Sequence, residues 1–411
     1  MKIVIGQFLK SNGWDKRFVV FLYLFVVSLP IGHGLDAIMM IPVILCYLFV
    51  SSWKEKWTNL KENKITLVLL FSIPILFLLG MLYSNDIGVA LGRIERNLPF
   101  LVLPIIILSV PKRLIEIRDI FYALGIGLLV VMLMSWGIII ADIFSKVSPM
   151  KQAKYFFEWI YTDKNLLLAA DIHPGYFVLF LILFLTSIMY SELLIDFRRN
   201  KTLYFLTLSL LVLFLVETSS RIGVLCLLII MVINLLGNWN GNRKWLHLIV
   251  FCGLFLALIK FDYLSSKFLK LMDINGNITF ERYFRWQKIW KVFVENGNML
   301  IGVGTGDVYE VYGKAYEMGE FQQAIKENYN AHNQYLELLV GQGFLGLIVY
   351  LLILVNFVLK TRLKDMALAF IVLIIVFSFT ESLLVRSKGI MFFAFFYPLF
   401  IKQYFSSKNE A

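Results

Sequence analysis

The chain has 411 residues, of which 59% are hydrophobic and 16% are charged, and its formal net charge is +11. This composition excludes a soluble globular protein, because repeated apolar runs of about 20 residues are what helices need to cross a bilayer core of about 30 Å. We therefore predict an all-α integral membrane protein.

The apolar runs predict about 12 transmembrane helices with a large polar connection after the ninth. The predicted spans are 18–33, 35–52, 64–83, 98–110, 119–144, 172–195, 202–219, 222–237, 245–262, 333–359, 365–384 and 389–404. The first run has no small-residue cleavage site and a second run follows at once, so we expect an uncleaved first helix. The predicted domains are 1–261 with about nine membrane helices, 262–332 as one large extracytoplasmic loop, and 333–411 with about three membrane helices.

The distribution of lysine and arginine sets the predicted topology. With the N-terminus in the cytoplasm, these residues concentrate in the short inner connections, as the positive-inside rule requires. The basic charge is then mostly a topology signal, and nucleic acid is not predicted as a partner. The loop 262–332 falls outside the cytoplasm.

The sequence ERYFRWQKIWKVF inside this loop predicts an amphipathic helix. Its basic and aromatic residues occupy different sectors, namely Arg282, Arg285, Lys288 and Lys291 against Tyr283, Trp286, Trp290 and Phe293. One interpretation is an interfacial helix with aromatic rings at the lipid headgroups and basic side chains near lipid phosphates. The other is a binding site, because an arginine fork grips phosphate at two points.

The run GVGTGD, residues 302–307, is similar to a phosphate-binding turn but lacks the following Lys-Ser/Thr of a nucleotide-binding loop. We interpret it as a tight turn and do not predict a nucleotide.

Two further residues stand where polar chain meets an apolar span. Arg221 lies between two runs with almost no loop around it, where an arginine either binds an anion or reaches water, with Glu217 as a candidate partner. His332 precedes a span and is flanked by Asn330 and Asn333, which can orient its ring. A neutral imidazole near a helix N-terminus is favoured over imidazolium, and this is the state a general base needs.

Four motifs in this order resemble the O-antigen ligase and polymerase family of membrane glycosyltransferases, over roughly residues 205–350. They are SSRIG before a span, Arg282 to Trp286 as R-x3-W, GVGTGD, and AHNQYLELLVGQGFLG. The layout of twelve helices with a large loop two-thirds along is similar as well, which implies a GT-C-like fold. IHPGYF, with His173 at the mouth of a helix, also looks like a segment of some bacterial members, although His173 can simply cap or pack there.

The resemblance implies a reaction on the outer face of the bacterial inner membrane. The donor is a glycan on undecaprenyl diphosphate, the acceptor a hydroxyl of lipid A-core or of another glycan, and neither metal nor cofactor takes part. His332 matches the catalytic histidine, which deprotonates the acceptor.

The same resemblance assigns the diphosphate to two arginines. Arg221 matches the first and Arg282 the second, with Arg285 as a competitor for the second role. We place Arg285, Asn333 and His173 among the substrate-binding residues, and membrane lipids among the partners.

Two other functions are compatible with the same sequence. A polymerase that joins lipid-linked repeat units shares the donor chemistry and differs in the acceptor. A transporter or flippase belongs to a different class, but the arrangement of nine spans, a loop and three spans contains no internal repeat. We favour the ligase.

Overall fold

The computed structural model describes residues 13–146, 156, 158–191, 194, 199–237 and 281–405. The regular structure in these ranges is helical, and an isolated β-bridge joins Asn298 to Gly302. The expectation of an all-α protein is therefore confirmed for this part of the chain.

The α-helices are numbered in chain order. They are α1 (Gly13–Ser28), α2 (Leu35–Phe49), α3 (Trp53–Glu62), α4 (Lys64–Met81), α5 (Ile87–Asn97), α6 (Pro99–Ser109), α7 (Ile117–Lys146), α8 (Pro174–Tyr190), α9 (Lys201–Glu217), α10 (Arg221–Gly237), α11 (Glu281–Asn296), α12 (Val308–Met318), α13 (Gln322–Lys326), α14 (Gln334–Thr361), α15 (Met366–Thr380) and α16 (Ser387–Tyr404). Each predicted span except 245–262 overlaps one of these helices. That segment lies outside the described residues, as does 262–280 of the predicted loop.

Several of these helices are apolar enough to lie in a membrane. By length and composition, α4, the stretch Lys112–Lys146 and α14 are each long enough to cross it. Helices α2 and α3 pass the same test together but are bent by 110°, as in a broken span or a re-entrant loop. Helices α8, α10 and α15 are apolar but shorter. The chain is thus a helical membrane protein, and the count of twelve spans stays a prediction.

Contacts divide the chain into two compact units that are discontinuous in sequence. The first contains Met1–Lys61 with Ser109–Leu269, and the second contains Glu62–Leu108 with Lys270–Ala411. In the first unit α1 packs on α2 and α7, and α8 packs on α10. Helix α8 is apolar on all sides and is buried within the protein along nearly its whole length.

In the second unit α14 packs against α4, and the amphipathic segment forms α11, which confirms the predicted helix. Helices α11, α12 and α13 share a hydrophobic core with the start of α14. Its buried residues are Ile289, Val292, Phe293, Val308, Val311, Tyr312, Ala315, Tyr316, Ala324, Ala331, Leu339 and Val340. This core holds the segment that ends at residue 332 against the N-terminal turns of α14.

Helix α14 is interrupted at Gly343, whose φ of 63° and ψ of −162° are not helical. The interruption frees backbone groups that the helix would otherwise pair. Phe344 donates its N–H to the carbonyl of Met299 at 2.8 Å, and Leu345 donates to Leu300 at 3.1 Å. Met299 and Leu300, which precede the GVGTGD run, therefore accept the hydrogen bonds of N–H groups next to the interruption.

The GVGTGD run itself is a turn between α11 and α12, as predicted. The N–H groups of residues 303–306 donate in order to Val340 O, Gly341 O, Gly80 O and Ser84 Oγ. Because these four donors are already bonded within the protein, the turn does not present them to a phosphate.

Candidate active site

His332 stands in the turn immediately before α14. Its φ of 46° places it in the left-handed region, where a residue other than glycine is strained and must be held by its surroundings.

The imidazole of His332 contacts a carboxylate that the sequence analysis did not identify. Its Nδ1 lies 3.1 Å from Oε2 of Glu381, and the ring meets Tyr329 edge to face at 5.2 Å. An ionised carboxylate only accepts hydrogen bonds, so Nδ1 is the nitrogen that carries the proton in the neutral ring, and Nε2 is then the nitrogen with the lone pair. The side chain of His332 is 22% exposed and that of Glu381 is 9% exposed. The imidazole is therefore partly accessible to solvent, whereas the carboxylate that it contacts is nearly buried.

Glu381 also binds Arg282, so one carboxylate joins two of the predicted site residues. Nη2 of Arg282 lies 3.1 Å from Oε1 of Glu381, and Nη1 donates to the carbonyl of Thr380. Arg282 and His332 are thus brought together through Glu381. In the structure its guanidinium holds the carboxylate that orients the histidine.

Arg285 lies one turn further along α11 and is buried. Its guanidinium packs over the ring of Tyr329, 5.3 Å from the centroid, and its Nε is 3.7 Å from Oε1 of Glu281. Neither Nε nor Nη1 has a hydrogen-bond partner in the described residues. Burial raises the pKa of Tyr329, so the phenol stays neutral beside Arg285.

The expectation that Asn330 and Asn333 orient the imidazole was wrong. Oδ1 of Asn330 accepts the backbone N–H of His332 at 2.9 Å, and Oδ1 of Asn333 accepts the N–H of Leu336 at 3.0 Å and so caps α14. Both amide oxygens accept hydrogen bonds from backbone N–H groups that the turn and the helix end would otherwise leave unbonded. They shape the turn, and Glu381 holds the ring.

Arg221 belongs to the first unit and is exposed at the first residue of α10. Ser220 caps this helix by accepting the N–H of Gly223 at 3.3 Å. The carboxylate of Glu217, one turn earlier, is buried and accepts a hydrogen bond of 2.6 Å from Nε1 of Trp136. A helix N-terminus together with an exposed arginine is a favourable place for an anion.

His173, also in the first unit, is the N-cap of α8. Its Nδ1 accepts the N–H of Gly175 at 3.2 Å, and its ring lies edge to face with Tyr176. The structure thus gives His173 the capping role that the sequence analysis left open beside substrate binding.

A cavity of about 940 Å³ in the second unit begins beside the turn of His332 and follows α14. Its wall is almost wholly apolar and includes Trp286, Trp290, Tyr335, Leu351, Leu359 and Phe379. Asn333, the neighbour of His332 in the chain, is also among its lining residues. The shape and chemistry of the cavity suit a long hydrocarbon chain.

Comparison with known families bears on this arrangement. Residues 206–351 match the O-antigen ligase family. The match confirms the resemblance and supports a function of the O-antigen ligase and polymerase type. No curated protein matches the chain. The O-antigen ligase segment contains Arg221, α11, the GVGTGD turn and His332, whereas Glu381 lies beyond its end.

Glu381 is the residue of the candidate site that sequence reasoning missed. It follows α15 in the sequence TESLL, inside the predicted span 365–384, where an acidic residue is costly. An acidic residue within a predicted span was therefore the sequence signal that could have identified Glu381.

Proposed function

We propose that this protein is an O-antigen ligase-like glycosyltransferase. It transfers a glycan from undecaprenyl diphosphate to a hydroxyl of lipid A-core at the periplasmic face of the inner membrane. The observation that carries the proposal is the array in which Glu381 contacts both His332 and Arg282.

In the proposed reaction His332 is the general base. Nε2 takes the proton of the acceptor hydroxyl while the acceptor oxygen bonds to the anomeric carbon of the donor. The bond from that carbon to the phosphate oxygen breaks, and its electron pair leaves with the diphosphate. A single displacement of this kind inverts the anomeric configuration. Glu381 stabilises the imidazolium that forms, as a buried carboxylate does in other histidine bases.

The leaving diphosphate gains negative charge, which fixed cations stabilise. We assign Arg282 to this role because its side chain is 32% exposed, whereas that of Arg285 is 8% exposed. The resemblance assigns Arg221 to the diphosphate as well. The apolar cavity along α14 supports a lipid-linked donor, because its walls can take the isoprenoid chain and Asn333, the neighbour of His332 in the chain, is among its lining residues.

The decisive experiment is transfer by the purified protein in liposomes. Undecaprenyl-diphosphate-linked glycan is supplied with lipid A-core, or alone, and the products are separated by size. We expect glycan on lipid A-core with wild type and none with His332→Ala, while His33→Ala, which alters a histidine of the first unit, stays active.

Two outcomes would contradict this proposal. Near-normal transfer by His332→Ala would show that His332 is not the general base. Ladders of longer lipid-linked glycan without transfer to lipid A-core would make the protein a polymerase.

A further inference from the structure

The turn that carries His332 is held by side chains at three consecutive backbone N–H groups. The N–H of Ala331 donates to Oε2 of Glu337 at 3.3 Å, and that of Asn333 donates to Oγ of Ser382 at 3.3 Å. The N–H of His332, between them, donates to Asn330. These three hydrogen bonds hold a segment that includes a residue with a positive φ.

Glu337 is the centre of these contacts. Its carboxylate is in the first turn of α14 and is 2% exposed. Oε2 accepts from the hydroxyl of Ser382 at 3.1 Å as well as from Ala331, and Oε1 accepts from Arg93 of α5. The three donors are a guanidinium, a hydroxyl and a backbone amide.

Ser382 connects the same carboxylate to the other half of the site. It follows Glu381 directly in the chain, so the hydrogen bond to Glu337 holds the backbone from which Glu381 reaches His332. Glu337 therefore fixes the histidine through Ala331 and the glutamate through Ser382.

We propose that Glu337, held by Arg93, is a positioning residue that sets the distance between His332 and Glu381. This inference rests on the proposed function for its catalytic consequence, but its geometric part does not. An ionised carboxylate accepts all three donors at once, whereas a glutamine amide must turn its NH₂ toward one of them. The guanidinium of Arg93 pairs with the same carboxylate, and both side chains are buried.

The test compares two buried serines near one end of α15. Ser382→Ala removes the hydroxyl that binds Glu337. Ser378→Ala is the control, since its hydroxyl is also buried but bonds to Tyr350 at 2.7 Å. Glu337→Gln is a second route that keeps the shape of the side chain. Each variant is studied by NMR of ¹⁵N-histidine-labelled protein, with His332 assigned by its absence in His332→Gln, and by steady-state transfer kinetics.

We expect wild type and Ser378→Ala to show His332 as one tautomer with Nδ1 protonated. Ser382→Ala and Glu337→Gln should show a mixture of tautomers, and kcat should fall about tenfold or more because a displaced base loses its geometry, while the donor KM stays unchanged. Identical ring signals in Ser382→Ala and Ser378→Ala would overturn the proposal. A changed ring signal with unchanged kcat would keep the positioning and refute His332 as the base.

Discussion

At the scale of single residues, Glu381 shares its two oxygens between His332 and Arg282. The change Glu381→Gln keeps the size of the side chain but loses the charge that favours the Nδ1–H tautomer and stabilises the imidazolium. We expect kcat to fall by about 100-fold or more, in line with the loss of a comparable carboxylate in serine proteases, with a smaller effect on the donor KM. Steady-state kinetics of purified variants measures both.

The control for this variant is Glu317→Gln, which alters an exposed glutamate of α12 and should leave kcat unchanged. Equal kcat values for Glu381→Gln and wild type would show that the contact between Glu381 and His332 has no role in proton transfer.

Arg282 and Arg285 differ by one helical turn, and the structure separates their roles by exposure. Arg282→Ala should raise the donor KM and lower kcat, and Arg282→Lys should recover only part of the loss because the planar fork is missing. Arg285→Met should leave the donor KM near the wild-type value, since an apolar side chain of similar length fits a buried position. Kinetics at varied donor concentration tests this. If Arg285→Met is inactive and Arg282→Ala is active, Arg285 and not Arg282 is the arginine that binds the diphosphate.

The residues of the site could be predicted only in part. His332 and Arg282 were found because a histidine before an apolar span and arginines on an amphipathic helix have a local signature. The pairing of His332 with Glu381 depends on how the residues after α15 approach the turn before α14, and no spacing along the chain encodes that approach. The burial of Arg285 on the same helix depends on packing against Tyr329 and was equally invisible.

At the scale of elements, the interruption of α14 offers a stability test. A Cβ added at Gly343 would lie 2.3 Å from the backbone of Leu300, and the positive φ of Gly343 is unfavourable for any other residue. Gly343→Ala should lower the free energy of unfolding by about 2 kcal/mol or more. Thermal unfolding in detergent measures the loss.

Gly137→Ala in α7 is the matched control, because a Cβ there meets nothing within 4 Å. It should be neutral or slightly stabilising, as alanine is the better helix former. If Gly343→Ala is as stable as Gly137→Ala, the interruption of α14 does not require glycine at position 343.

The predicted spans left out helices α3 and α5. The apolar helices could be predicted closely, because a backbone in an apolar setting must satisfy its own hydrogen bonds. The interruption at Gly343 could not. QGFLGL reads as continuous helix, and the alternative pairing is supplied by Met299 and Leu300, more than forty residues earlier.

At the scale of the whole molecule, the predicted topology places 262–332 in the periplasm. In a protein whose native cysteines are replaced by alanine, a single cysteine at the exposed Glu317 should react with a membrane-impermeant maleimide once the outer membrane of intact cells is permeabilised. A cysteine at Lys61 should react only after the inner membrane is opened as well. The reverse pattern would invert the topology.

Chain order also conceals how the molecule is divided. Residues 62–108 belong with the C-terminal part of the chain in the second unit, although they lie among the N-terminal spans. Such a grouping depends on which helix faces meet, and hydropathy along the chain contains no record of it.

The interruption of α14 also has a consequence for depth in the membrane. At about 1.5 Å per residue the whole of α14 would be about 42 Å long, more than the hydrocarbon of a bilayer needs. The part from Phe344 to Thr361 alone is about 27 Å, close to the thickness of that layer. We therefore expect the turns from Gln334 to Gln342 to lie among the lipid headgroups. In the proposed function, this would place His332 at the level of the phosphates of a membrane-anchored substrate.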